Sequence, residues 1–352
     1  MKNISKNISK NISSRLNQLL LIILAFLCFQ NIASASLNPL KWLSSKDRTS
    51  EVIEIENDNE KGTEKLIKKL TKYEAKDNEK AKQKIYKKII LKYPRSDIAK
   101  EAAYNRGIYL IDKEKWSDSF NAFSIIKLYH PDFSKLDSVI ELQFQCAENL
   151  MHQVKKKTLG FKNSSTYNTE SIPLFVAYAK LFPYNEKAPL ALLNSAKVSE
   201  SDKEYDIAIV SLKSLINDYP DSEHTAEAYF MIAHIYSKFI KGPEYDLETT
   251  REAIRYCEDF IALYPKHKEI TTIEILYERM LNSLATNRVL LADYYYFNKR
   301  DNVAAIIFYN EAITIAPNSQ AALEAQERLE AIENGVRPTT GRNLIKKLFF
   351  IK

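Results

Sequence analysis

Six residue–proline pairs recur along the chain at intervals close to the length of a helical hairpin. They are Tyr93-Pro94, His130-Pro131, Phe182-Pro183, Tyr219-Pro220, Tyr264-Pro265 and Ala316-Pro317. Successive prolines are separated by 37, 52, 37, 45 and 52 residues. Proline cannot continue a helix and moves the residue before it out of the helical region, so each pair predicts the end of a helix. The spacing is typical of repeats that consist of two helices each.

Apolar residues between the prolines follow helical spacing. The clearest repeat has Leu192 and Ala196 on its first helix and Ala208, Leu212 and Leu215 on its second. The same second-helix spacing recurs as Ala253, Cys257 and Phe260, and again as Ala305, Tyr309 and Ala312. Small residues let two helices approach closely, and large residues fill the groove between them. Gly107 lies where the tetratricopeptide pattern has its close-contact glycine, with Ser119 and Phe123 on the partner helix.

We therefore predict an all-α fold, a tetratricopeptide-like superhelical solenoid of about five to six helix pairs. Only 6 glycines occur in 352 residues, which disfavours all-β folds and phosphate-binding loops. The pattern from Ile270 to Tyr296 has no proline or glycine and predicts one long helix. Asn334-Gly335 predicts the end of the last helix. We predict insertions within helix pairs at two segments, 158–169 and 241–246.

The N-terminus resembles an export signal. Basic residues up to Arg15 precede the apolar run 19–29 and the small-residue site Ala33-Ser34-Ala35, so we predict a signal peptide over 1–35, cleaved before Ser36. The alternative is lipidation of Cys28, which closes the apolar run, although Leu27 stands where a lipoprotein signal usually has a small residue. We predict that residues 36–61 form a flexible tether, that 62–333 form the repeat domain, and that 334–352 form a basic C-terminal tail.

Charge is unevenly distributed in the part that follows the signal. Residues 61–92 contain twelve lysines against four acids, and 335–352 contain five cations and no acid. The net charge of 93–334 is about −8. This distribution favours docking onto proteins or a membrane surface over nucleic-acid binding, and solvated lysine faces are the plainer alternative.

The sequence contains no pattern of a catalytic or metal site. The five histidines show no metal-ligand spacing with one another or with cysteines. Cys146 and Cys257 lie within apolar helical patterns, which favours buried free thiols over a disulfide. We expect no enzymatic activity, no metal and no cofactor.

Several motifs resemble a known family. The stretch Gly242-Pro243-Glu244-Tyr245-Asp246, the following Ala253-Ile254-Arg255-Tyr256, and Leu291-Ala292-Asp293-Tyr294-Tyr295 are similar to the BamD family, the tetratricopeptide lipoprotein of the outer-membrane β-barrel assembly machine. The resemblance covers about 62–333 and is strongest over 220–333. It implies a periplasmic scaffold at the inner face of the outer membrane in a Gram-negative-type envelope.

The resemblance also implies the partners and their sites. The C-terminal repeats contact the barrel-inserting protein and accessory assembly proteins, which by position assigns partner contacts to Arg288, Asp293 and Tyr294. The N-terminal repeats receive extended C-terminal segments of unfolded outer-membrane proteins, which assigns a peptide groove to Tyr73, Tyr86, Tyr104 and Tyr109. Packing within the core or between repeats is the alternative role for each of these residues. The alternative function is another periplasmic tetratricopeptide adaptor, in envelope constriction or cell-wall synthesis.

Overall fold

The computed structural model describes residues 60–153, 166–239 and 247–335. Within these three ranges the chain is helical and contains no strand. The helices are α1 Glu60–Glu74, α2 Glu79–Lys92, α3 Asp97–Ile111, α4 Trp116–Tyr129, α5 Leu136–His152, α6 Ile172–Leu181, α7 Ala188–Ser201, α8 Tyr205–Asp218, α9 Thr225–Phe239, α10 Leu247–Leu263, α11 Ile270–Asp293, α12 Asn302–Ile315 and α13 Gln320–Glu333. A 3-10 turn, Thr169–Ser171, precedes α6, and a π-helical segment, Tyr294–Lys299, follows α11.

All six residue–proline pairs lie at helix ends, as predicted. In each turn the N–H of the residue before proline donates to the carbonyl four residues earlier, with N···O distances of 2.8–3.2 Å. Its own carbonyl accepts from the N–H three residues later, at 3.0–3.1 Å. These paired bonds satisfy a terminal carbonyl of the helix and turn the chain toward the next helix. The six turns are therefore one structural element repeated along the chain.

The chain forms two compact units, residues 1–204 and 205–352. In the first unit, consecutive helices from α1 to α5 pack against one another, and α4 also contacts α6. Contacts between neighbours in sequence and between every second helix are the pattern of stacked hairpins. The tetratricopeptide-like, all-α fold predicted from the sequence is confirmed.

Gly107 allows the close approach of α3 and α4. A Cβ built at this glycine would lie 2.3 Å from Cε1 of Phe123, whose side chain is fully buried. The hydroxyl of Ser119 donates to the Gly107 carbonyl at 2.8 Å. The role predicted for this glycine and its two partner residues is therefore confirmed.

The third hairpin contains an insertion between α5 and α6. Residues 154–165, most of the predicted insertion, lie outside the described residues. The core continues across the hairpin, because Phe144 of α5 packs edge-on against Phe175 and Tyr178 of α6 at centroid distances of 6.2 and 5.2 Å. The Tyr178 hydroxyl donates to Oδ1 of Asn185 at 2.9 Å, which ties α6 to the turn that follows it.

The second unit, from α8 to α13, is also built of stacked hairpins. Helices α9 and α10 pack together, as do α11 and α12, and α11 also contacts α9 and α13. The predicted long helix is present as α11 and continues into the π-helical segment, which ends at Arg300 in the left-handed region, φ 57°. Helix α13 ends at Glu333, as Asn334-Gly335 predicts, with Gly335 at φ 66°.

The predicted core positions are buried in both units. They are Leu192, Ala196, Ala208, Leu212, Leu215, Ala253, Cys257, Phe260, Ala305, Tyr309 and Ala312. Cys146 and Cys257 are buried free thiols, and burial raises the pKa of Cys146 to about 11 and that of Cys257 to about 12. Both thiols are therefore unreactive at neutral pH. The predicted insertion at 241–246 lies outside the described residues.

Candidate partner-binding surfaces

Arg288, a predicted partner contact, has an intramolecular partner. Its Nε lies 3.0 Å from Oε2 of Glu311, and its side chain is 16% exposed. The pair joins α11 to α12. Because Arg288 is largely buried and Glu311 is 43% exposed, removing Glu311 would leave a poorly solvated charge behind, whereas removing Arg288 would not.

Asp293, the second predicted contact, lies in a polar network at the end of α11. Its Oδ1 accepts a hydrogen bond from the Tyr309 hydroxyl at 2.6 Å, and Nε of Arg328 lies 3.7 Å away. Burial raises the pKa of the Asp293 carboxyl, while the Tyr309 hydrogen bond and the Arg328 charge oppose that rise. The network joins α11, α12 and α13, so Asp293 has a structural role in the second unit.

Tyr294 is the predicted contact that remains accessible. Its side chain is 44% exposed. The ring packs edge-on against Tyr295 at 5.7 Å, and Tyr295 stacks on Phe308 of α12 at 5.4 Å. Lys299 Nζ lies 5.6 Å from the Tyr294 ring centroid. Tyr294 thus exposes part of its ring beside a cation.

An exposed apolar face on α12 was not predicted as a site. Val303 is 71% exposed, Ile307 53% and Ile306 36%. We refer to these three residues as the α12 face. The sequence contains the relevant signal, because the solvent-facing side of α12 is apolar in its first half and becomes polar only at Asn310 and Thr314.

The four tyrosines predicted to form a groove lie on α1, α2 and α3 and differ in exposure. Tyr86 is 8% exposed and belongs to the core of the first unit, and burial raises the pKa of its hydroxyl. Tyr104 is partly buried against Phe123 and Phe133, at centroid distances of 6.2 and 5.8 Å. Tyr86 therefore offers little surface to a peptide, and Tyr104 offers part of one ring.

Lysine side chains lie beside two of the more accessible tyrosine rings of this set. Lys135 Nζ lies 4.5 Å from the Tyr104 ring centroid, and Lys113 Nζ lies 5.8 Å from that of Tyr109. Tyr73 and Tyr109 are partly exposed. A lysine beside a tyrosine ring combines an apolar contact with attraction for a carboxylate, which suits an acidic or carboxyl-terminal peptide.

The sequence model of the YfiO family, described as an outer membrane lipoprotein, matches residues 161–340. The match covers just over half of the chain and includes α6 to α13. The chain belongs to the YfiO family. No curated protein sequence matches the chain. The resemblance to the BamD-like lipoproteins noted from the motifs around 242–295 is thereby confirmed.

Membership of the YfiO family associates the protein with the cell envelope. Among the described helices, none has the length and apolar character needed to cross a membrane. Cys28, the alternative lipid site, and the predicted signal peptide lie outside the described residues. Across the part of the chain that the structure describes, no three His, Cys, Asp or Glu side chains cluster as metal ligands. The accessible groups described above are Tyr294, the α12 face and the Tyr104–Lys135 pair.

Proposed function

We propose that this YfiO-family protein is a non-enzymatic periplasmic scaffold of the machinery that assembles outer-membrane β-barrel proteins. The family match over α6 to α13, on a framework of helical hairpins, carries the proposal. The second unit binds the barrel-inserting protein and its accessory proteins, and the first unit binds extended segments of unfolded barrel proteins. The protein is held at the inner face of the outer membrane. Cys28 is the candidate lipid site, and cleavage before Ser36 without a lipid is the alternative.

The accessible groups of the second unit support a role in partner binding. Tyr294 combines an exposed ring with a nearby lysine, and aromatic residues are the commonest source of binding energy in protein interfaces. Arg288 and Asp293 act differently in this proposal. The Arg288–Glu311 and Asp293–Arg328 ion pairs and the Tyr309–Asp293 hydrogen bond tie the last part of α11, next to Tyr294, to α12 and α13.

A pull-down from detergent-solubilised membranes tests the proposal. The tagged protein is expected to recover the barrel-inserting outer-membrane protein, and Tyr294→Ala is expected to lower that recovery at least about tenfold because it removes an interface ring. Ile275→Ala is the matched control, since Ile275 is also exposed, at 64%, on α11. Recovery of a cell-wall synthase without any barrel-inserting protein would contradict the proposal and support the adaptor alternative.

Peptides that copy the C-termini of barrel proteins test the role of the first unit. Such a peptide can bury its terminal aromatic ring beside tyrosines while a lysine attracts its carboxylate. We expect Tyr109→Ala to weaken binding at least about tenfold, measured by fluorescence anisotropy. Tyr184→Ala, at a fully exposed tyrosine of the same unit, should bind as the wild type does. Equal affinity for a scrambled peptide would rule out this site.

A further inference from the structure

The α12 face is the most exposed apolar surface of the last helices. Val303 and Ile307 are one turn apart, and Ile306 lies beside them. The opposite side of α12, formed by Ala305, Tyr309 and Ala312, is fully buried. A solvated helix side is normally polar, as this side of α12 is at Asn310 and Thr314, so an exposed apolar patch in its first half usually marks a contact. We therefore expect another segment or molecule to cover the α12 face.

The chain leaves α13 near the N-terminal end of α12, the end that carries this face. Arg328, in the second half of α13, has its guanidinium carbon 6.0 Å from the ring centroid of Phe297, and Phe297 lies in the π-helical segment that precedes α12. Leu329 and Ile332 pack into the same core as Phe297. Since α13 starts beside the far end of α12, the last turn of α13 returns to the level of Asn302 and Val303. The residues after Gly335 begin there.

Those residues match the α12 face in length and chemistry. The 17 residues 336–352 include Leu344, Ile345, Leu348 and Phe349, which recur at helical spacing. Five cations accompany them, Arg337, Arg342, Lys346, Lys347 and Lys352. Helix α13 carries four exposed glutamates, Glu324, Glu327, Glu330 and Glu333. A basic, apolar segment thus follows directly on an acidic helix and starts beside an uncovered apolar one.

The geometry points to an intramolecular contact in which the segment 342–352 binds the α12 face. Leu344, Leu348 and their neighbours cover Val303 and Ile307, and the cations of the segment face the glutamates of α13. The six residues 336–341 span up to about 20 Å when extended, which is ample for a segment that starts at this end of α12. Tethering gives the segment an effective concentration on the order of millimolar, so a weak intrinsic affinity suffices. This inference is independent of the proposed function.

Maleimide labelling of an introduced cysteine tests the contact. The experiment uses the chain that begins at Ser36, which lacks Cys28. The native thiols, Cys146 and Cys257, are buried and do not compete for a maleimide. Val303→Cys is expected to react at least about tenfold more slowly in the whole chain than in a chain that stops after Gly335. The charge variant Arg342→Glu/Lys346→Glu/Lys347→Glu should react nearly as fast as the shortened chain, whereas Lys266→Glu/Lys268→Glu, in an exposed turn, should not.

Further controls separate this contact from other causes of protection. Tyr184→Cys, at a fully exposed position of the first unit, should react at the same rate in both chain lengths. A synthetic peptide of residues 336–352 added to the shortened chain should restore protection of Val303→Cys. Ile307→Cys provides a second probe of the same face. Equal rates in the two chain lengths would overturn the contact, and protection that rises with protein concentration would overturn it in favour of a second copy.

Discussion

Phe260→Ala is expected to lower the free energy of unfolding by about 3–5 kcal/mol. Phe260 is fully buried in α10 and contacts three other rings. Its centroid lies 6.5 Å from Phe230 of α9, 5.6 Å from Tyr264 and 5.2 Å from His267. Alanine would leave a cavity between α9, α10 and the turn at Pro265, and these packed surfaces cannot collapse fully into it.

Urea denaturation followed by circular dichroism measures this loss, and hydrogen exchange of peptides from 247–264 locates it. Leu263→Ala is the matched control, because Leu263 lies on the same helix but is 58% exposed. The control should change stability by about 0.5 kcal/mol or less. A loss below about 1 kcal/mol for Phe260→Ala would contradict the packing described for the second unit.

The repeat architecture could be predicted from the sequence because it depends on local rules. Proline ends a helix wherever it occurs, and a small residue between two helices is needed wherever they approach closely. Pro94 and Gly107 could therefore be interpreted without knowledge of distant contacts. The turn hydrogen bonds at Tyr93 and the close approach of Phe123 to Gly107 confirm both interpretations.

The candidate sites were less predictable, since exposure depends on which helices become neighbours. Tyr86 and Tyr109 look alike in the sequence, but the packing of α2 on its neighbours buries Tyr86 while Tyr109 stays partly exposed. Asp293 is similar to an acid that the family resemblance assigns to partner contacts. It is also the acceptor for Tyr309, sixteen residues away. No periodicity in the sequence indicates that pairing, because it depends on how α11 and α12 are aligned.

The α12 face shows the same dependence on tertiary packing. The sequence pattern predicts Ala305, Tyr309 and Ala312 as core, and these three residues are buried. Two adjacent isoleucines cannot both point inward on a helix whose buried positions are Ala305 and Tyr309. The excess of apolar residues over what one buried face requires was the available signal, and it is the basis for the proposed contact with the C-terminal segment.

Tyr309→Phe is expected to destabilise the protein by about 1–3 kcal/mol at about pH 7. The substitution keeps the buried ring and removes only the hydroxyl, which donates to Asp293 at 2.6 Å. The carboxylate then loses a hydrogen bond in a partly buried position, where solvent replaces it poorly. Tyr295→Phe is the control, since that ring stacks on Phe308 at 5.4 Å and its hydroxyl is not the donor to Asp293.

The loss should depend on pH in a defined direction. Burial raises the pKa of Asp293 above its ordinary value of 3.8, so the folded protein binds this proton more tightly than the unfolded chain. The contribution of Asp293 to stability is therefore largest at low pH and falls as the pH rises through the folded-state pKa. Tyr309→Phe raises that pKa further, because the hydroxyl stabilises the charged carboxylate.

The effect of Tyr309→Phe should consequently be smaller at about pH 4, where Asp293 is more protonated, than at about pH 7. Urea denaturation at the two pH values measures the difference. In an Asp293→Asn background there is no carboxylate to titrate, and the effect of Tyr309→Phe should become independent of pH. If the effect of Tyr309→Phe still depends on pH in that background, another titratable group causes the dependence and Asp293 does not. A pH-independent loss in the wild-type background would mean that the Tyr309 hydroxyl does not act on the charge of Asp293.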